Sequence, residues 1–134
     1  MPDVLVVEDN AINRKLIGLL LSRAGYSWQA VGEGASALAE LHRQPYRVVL
    51  MDMMMPGMNG YEATTAIRAD PALRALPVVA LTANALHGEE ARCRAAGCDD
   101  YVAKPYAKER ILGAIAGFIG APVPTPTTPD KTST

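Results

Sequence analysis

Short, unbroken apolar runs alternate along this chain with longer stretches whose apolar residues recur every three or four positions. The runs VLVV, VVLM and VVAL, and the less apolar DYVA, read as strands covered on both faces, the form that parallel strands take. Five strand–helix alternations predict an α/β domain of βαβ units, with a five-stranded parallel sheet and five helices on both its faces. The strands are expected at 3–8, 27–31, 47–51, 77–81 and 99–103, and the helices at 11–24, 35–43, 60–69, 85–96 and 107–119. Punctuation supports these limits. Asn10 is placed to cap the first helix and Gly25 to stop it. Pro45 closes the second, Asp70-Pro71 the third, and Gly97 stands behind the fourth. In the first helix, Ile12, Leu16, Leu19 and Leu20 form a core stripe at helical spacing. Ile17 and Leu21 fall roughly 100° around from it.

After Gly120 the pattern stops. The segment APVPTPTTPDKTST has almost nothing to bury and is expected to be a disordered tail or linker. The chain therefore divides into one domain over 1–120 and a tail over 121–134. A length of 134 residues with 49% hydrophobic content fits a single well-buried core. Thirteen basic residues against fourteen acidic ones, with no dense basic run, argue against a nucleic-acid binder. LIGLLL is far too short to cross a bilayer, and the N-terminus runs straight into a strand without a signal-peptide pattern. Cys93 and Cys98 have no metal-ligand partners at useful spacing. They read as small buried thiols in a reducing compartment, which places the chain in the cytoplasm.

The chemistry lies at the ends of the apolar runs. Glu8-Asp9 follow VLVV, Asp52 follows VVLM, Thr82 follows VVAL and Lys104 follows DYVA. Residues just past the carboxyl ends of parallel strands line the ligand crevice of an open α/β sheet. Three carboxylates brought together repel strongly. A hard cation that prefers oxygen ligands relieves this, with Mg²⁺ the natural choice and Mn²⁺ a possible one. Acids at a helix N-terminus are the plainer explanation of Glu8-Asp9 alone, but the recurrence at 52, 82 and 104 outweighs it. Asp52 can attack phosphorus and form an aspartyl phosphate. The loop MMMPGMNG after it has Pro56, Gly57 and Gly60 to shape a tight turn. Backbone amides there can meet phosphate oxygens, and a backbone carbonyl, that of Met54, can join the metal shell. Thr82 can donate its hydroxyl to the phosphoryl group, beside the backbone of Ala83, and Lys104 can reach the same oxygens as a point charge. A cis Lys104-Pro105 bond would turn the lysine inward.

These residues resemble the receiver domain of two-component response regulators. The resemblance spans about residues 3–119 and rests on VVEDN, VLMDMMMPGMNGYE, ALTA and DDYVAKP. It implies a flavodoxin-like, doubly wound fold with strand order 2-1-3-4-5. It implies Asp52 as phosphoacceptor, Glu8 and Asp9 as metal-binding acids, Lys104 as the phosphate contact, and Thr82 with Tyr101 as a switch pair. VEDNAINRKL and LTANALHGEEARCRAAGCDDYVAKP resemble the receivers of hybrid histidine kinases and phosphorelays. The implied partner is a histidine kinase or histidine-phosphotransfer protein, with the receiver a monomer or weak phosphorylation-dependent dimer. On that resemblance Ile17 and Leu21 form an apolar docking patch; a widely buried helix explains them equally well. Met54 and Asn84 stand at positions that tune dephosphorylation, Met54 where such relatives often carry glutamine. Chemistry would be confined to self-catalysed phosphotransfer and autodephosphorylation.

Three other readings compete. A haloacid-dehalogenase-type phosphatase normally carries a second Asp two residues after the nucleophile, and here that residue is Met54. A flavodoxin-like cofactor binder needs a glycine-rich phosphate loop after the first strand, and here that loop is EDNAIN. A degenerate receiver serving only as an interaction module is disfavoured by the intact site set. Output domain, cognate kinase and stand-alone or hybrid-kinase origin are not legible in the chain.

Overall fold

The computed structural model describes residues 2–83, 88–104 and 106–121. Ten elements alternate: β1 (Val4–Val7), α1 (Ala11–Ala24), β2 (Trp28–Val31), α2 (Gly34–Arg43), β3 (Val48–Asp52), α3 (Gly60–Ala69), β4 (Val78–Thr82), α4 (Glu89–Ala96), β5 (Asp100–Ala103) and α5 (Lys108–Ile119). Neighbouring strands are parallel, in the order β2-β1-β3-β4-β5. Half of the limits move by one residue from expectation and nearly all the others do not move. The two moves that matter extend β3 and β4 to include Asp52 and Thr82, so both side chains are held by strand pairing. The first described turn of α4 follows Gly88. Residues 85–87 of the expected fourth helix, Asn84, the Lys104-Pro105 bond and the tail beyond 121 lie outside the described residues.

Successive side chains of a strand point to opposite faces, and here each face has its own apolar layer. Val4, Val6, Val48, Leu50, Val79, Leu81 and Val102 face α1 and α5 through Ile17, Leu21, Ile111 and Ile115. Leu5, Val7, Val49, Met51, Val78 and Ala80 face α2, α3 and α4 through Ala37, Leu41, Ala63, Ile67 and Cys93. This is why the strands read as unbroken apolar runs. Cys93 and Cys98 are both free and buried.

The caps follow the sequence. Asn10 accepts from the Asn13 N–H at the start of α1, and Gly25 ends that helix at φ 98. Asn59 and Glu62 form a reciprocal capping box at the start of α3. The phase of α1 does not follow. Ile17 and Leu21, read either as a docking patch or as part of a widely buried helix, are core residues at 3% and 0% exposure. Ile12, Leu16 and Leu19, expected in the core, are exposed at 69%, 58% and 50%. The inward face contains Gly18, where a Cβ would sit 2.4 Å from the Trp28 ring. A glycine is needed there so that the indole of β2 can lie against the helix. Counting apolar residues favoured the other stripe because glycine adds nothing to the count.

A pair of substitutions tests this phase. Leu21→Ala should cost about 2–5 kcal/mol, the usual range for a buried leucine truncation. Leu16→Ala should stay within about 0.5 kcal/mol, as surface changes do. Equal losses in urea unfolding would put the helix in the wrong rotation.

Candidate functional site

Register brings the predicted side chains to one edge of the sheet. Val7 pairs with Met51, Asp52 with Leu81, and Thr82 with Ala103. Glu8, Asp52, Thr82 and Lys104 therefore stand at the carboxyl ends of four adjacent strands. One carboxylate oxygen from each of Glu8, Asp9 and Asp52 lies within 4.8 Å of the others. Glu8 and Asp52 are buried and Asp9 is exposed.

The acidic turn is held from two sides. Glu8 Oε2 accepts from the Asn10 N–H at 3.2 Å. The Arg14 guanidinium reaches back from α1 and donates to the backbone carbonyls of Glu8 at 2.8 Å and Asp9 at 3.1 Å. The same Arg14 nitrogen would lie 2.9 Å from a Cβ at position 32, so Gly32 leaves room for the clamp. Asp52 Oδ1 accepts the Met54 N–H at 3.0 Å, which curls the following loop over the acceptor. That loop re-enters at Gly60, whose missing Cβ would meet the Asp52 carbonyl at 2.3 Å. Any larger residue would push α3 away from β3.

Glu8 Oε1 and Asp52 Oδ2 are buried without a hydrogen-bond partner. Buried carboxylate oxygens are almost always paired, so two orphans in one cluster mark a place built for a ligand. Burial raises the Asp52 carboxyl far above its ordinary value; the Met54 N–H bond opposes this, Glu8 adds to it, and the Lys104 charge opposes it. Hard oxygen donors, one of them exposed, beside a half-buried lysine fit a divalent hard cation and an anionic group.

The remaining predicted residues are placed as follows. Thr82 is buried at the end of β4, and its carbonyl accepts the Lys104 N–H at 2.8 Å. Ala83 follows it and is exposed. Lys104 Nζ sits 5.6 Å from the centre of the Tyr106 ring. Tyr101 is half-buried on β5, against the layer that faces α2, α3 and α4. Met54 exposes its side chain, so its part in the site is carried by the backbone. Ile17 and Leu21 are core residues, Ile17 lining a cavity beside Lys104. Sequence reading missed Arg14 and Gly32, whose roles depend on a turn packed against the next strand. It also missed Tyr106, whose hydroxyl is buried and unpaired. Burial raises that phenol's pKa, with Glu8, Asp52 and Asp9 adding to the shift.

The response regulator receiver domain family matches residues 4–116, and the chain belongs to that family. It is a receiver of two-component signalling. The polar-differentiation response regulator DivK of Brucella ovis is 36% identical over 117 residues, covering 87% of this chain and 95% of DivK. The receiver domain of the sensor histidine kinase PA1611 from Pseudomonas aeruginosa PAO1 superposes with a TM-score of 0.82 at 39% identity, over 90% of this chain and 98% of that one. That structure has a magnesium ion coordinated in its active-site cleft. A chain in the co-crystal structure of the Saccharomyces cerevisiae histidine phosphotransfer protein Ypd1 with the Ssk1 receiver domain gives a TM-score of 0.79 at 26% identity, over 87% of this chain and 95% of that one.

The raised Asp52 pKa has a stability consequence of definite sign. The folded state keeps this proton to higher pH than the unfolded chain does. The stabilisation from protonation is therefore present in acid and is lost as pH climbs from the ordinary aspartate value of 3.8 into the neutral range. In chelator at pH 7.5, Asp52→Asn should raise stability by about 1–3 kcal/mol, the cost of a buried group left unpaired. The gain should shrink toward pH 4. A variant that melts at the same temperature as the parent at both pH values would refute the strained cluster.

Proposed function

We propose that this receiver accepts a phosphoryl group on Asp52 from the phosphohistidine of a histidine kinase or histidine-phosphotransfer protein, in a reaction that needs Mg²⁺ and tolerates Mn²⁺. The observation that carries this reading is the pair of unpartnered buried oxygens on Glu8 and Asp52, beside exposed Asp9 and the Lys104 charge. Glu8, Asp9, Asp52 and the Met54 carbonyl are the groups that would hold the cation. When bound, it supplies positive charge against the carboxylates and the incoming phosphoryl oxygens. An Asp52 oxygen forms the new P–O bond as the P–N bond breaks, and the imidazole nitrogen keeps the bonding pair. Lys104, the Thr82 hydroxyl and the Ala83 N–H hold the phosphoryl oxygens, where positioning and charge do most of the work. Turnover beyond this is limited to self-catalysed loss of phosphate, with exposed Met54 bordering the water's path.

The partner's docking face is reassigned by the burial of α1. Ile12, Leu16 and Leu19 form an exposed apolar stripe on the helix that starts beside Asp9. A phosphotransfer helix laid along it would bring a histidine to Asp52. The relative found with Ypd1 supports a partner of this kind. The free buried thiols fit a reducing, cytoplasmic setting. The receiver acts as a monomer or as a weak phosphorylation-dependent dimer.

Phosphotransfer separates the two parts of this reading. Asp52→Asn should abolish hydroxylamine-labile labelling from both acetyl phosphate and a phospho-partner. The triple change of Ile12, Leu16 and Leu19 to Ser should slow labelling by the phospho-partner at least about tenfold, the effect of losing about 1.4 kcal/mol of docking. It should leave acetyl phosphate labelling intact. Label on the Asn variant would remove Asp52 from its role; an unaffected triple variant would move the docking face elsewhere.

The switch is proposed on Thr82 and Tyr101. A phosphoryl group on Asp52 gives the Thr82 hydroxyl a charged acceptor, about twice as strong as a neutral one. Movement of Thr82 frees space beside β5, and the half-buried Tyr101 ring turns inward. Beryllofluoride, whose fluorides stand in for phosphoryl oxygens, should shift the Tyr101 and α4 resonances, and Thr82→Ala should reduce those shifts while Asp52 still labels. Tyr101 signals that stay put as those around Asp52 move would rule this route out.

A further inference from the structure

Among the described residues, three buried side-chain polar atoms lack a hydrogen-bond partner: Glu8 Oε1, Asp52 Oδ2 and the Tyr106 hydroxyl. The first two are explained by the acidic site. The third belongs to the same place. Tyr106 follows Lys104 by two positions, and its ring lies 5.6 Å from the Lys104 ammonium. It shares with Lys104, Asn13, Ile17 and Ile111 a cavity of about 280 Å³ beside α1. Glu8, Asp52 and Asp9 are near enough for their charges to act on its hydroxyl.

A phenol is a hydrogen-bond donor, and ionised carboxylates are acceptors only. Here the phenol shares its cavity with Lys104, and the carboxylates act on it without bonding it. A third group that offers an oxygen to the phenol and is itself held by Lys104 or the carboxylates would join them. An unsatisfied buried hydroxyl is costly, so it marks a contact that is completed when the site fills. The ring alone would have served packing against Ile17 and Ile111. A phenylalanine would do that without stranding an oxygen.

We propose that the Tyr106 hydroxyl is a positioning donor for the filled site, giving its hydrogen bond to an oxygen that arrives with the ligands. The oxygen is either that of a water held on the cation or one of the phosphoryl group. The inference rests on the reading of Asp52 and its neighbours as a cation and phosphoryl site. It adds a residue to that site which none of the strand-end positions supplies.

Tyr106→Phe removes one atom and keeps the ring. Two measurements on the full chain, wild type and variant, test the assignment. The first is thermal melting in chelator, where the variant should be at least as stable as the parent because the stranded hydroxyl is gone. The second is calorimetric titration with Mg²⁺ alone and with Mg²⁺ plus beryllofluoride. The variant should bind about three- to tenfold more weakly, the loss of one hydrogen bond. Loss already present with Mg²⁺ alone assigns the acceptor to a metal-held water. Loss seen only with beryllofluoride assigns it to a phosphoryl oxygen. Unchanged affinity in both titrations, with wild type binding normally, overturns the role of Tyr106 and leaves the site intact. Weaker binding together with a lowered melting temperature assigns the hydroxyl to the fold and also overturns it. Wild type that binds neither ligand is a failure of the underlying site reading instead, and it takes this inference down with it.

Discussion

Everything at the functional edge of this molecule follows from two buried carboxylates, Glu8 and Asp52, that the fold holds together with one oxygen of each left unpaired. Each lies at the end of a strand that is apolar on both sides. Neither can reach bulk water, and neither can move away without breaking sheet pairing. Repulsion in such a place is not relieved by relaxation, only by a proton or by a cation. The site is thus prepared for a positive ligand before any ligand arrives. The stability given up by the fold is returned as binding energy, which is why function-bearing positions are often locally unfavourable.

The supports around this pair are rigid where chemistry needs them and weak where movement does. Arg14 fixes both carbonyls of the acidic turn, and Gly60 lets α3 begin directly against the Asp52 backbone. On the other side of β4 the hold loosens. In the described part of α4 only Cys93 is buried. Ala96 packs against the same layer while partly exposed, Tyr61 donates its hydroxyl to Glu89, and the Arg92 guanidinium sits 4.0 Å over the Tyr61 ring. Elements with little apolar burial open at lower free energy than core elements. Helix α4 is therefore the natural place for a small change at Asp52 to become a visible change of surface.

The order of elements, the parallel sheet and the strand-end set Glu8, Asp9, Asp52, Thr82 and Lys104 were legible because each depends on local pattern. Unbroken apolar runs identify strands buried on both faces, and their ends point one way in a parallel sheet. The caps at Asn10, Gly25 and Asn59 were legible or nearly so for the same reason. The rotation of α1 was not. Its leucines and isoleucines are numerous enough to make two stripes, and the choice between them is set by Trp28 seating against Gly18, a contact between elements. Arg14, Gly32 and Tyr106 were hidden in the same way. Each acts through a neighbour distant in sequence or through the absence of a side chain, and neither leaves a periodic trace.

The coupling from acceptor to output can be argued from these attachments. Helix α3 starts one loop after Asp52, and its second residue, Tyr61, holds the first residue of α4, Glu89. Thr82 ends the strand that leads toward the same helix. A ligand at Asp52 would bear on α4 through α3 and the Tyr61–Glu89 contact. It can redistribute α4 only by as much as it binds one arrangement better than the other. Moving an equilibrium from 1:99 to 99:1 takes about 5.5 kcal/mol of such difference. One new charge-assisted bond to Thr82, worth about 1.5–3 kcal/mol, falls short of that alone. A complete switch would therefore require α4 to be only lightly biased at rest, and a helix whose described part buries one side chain fully, Cys93, fits that requirement.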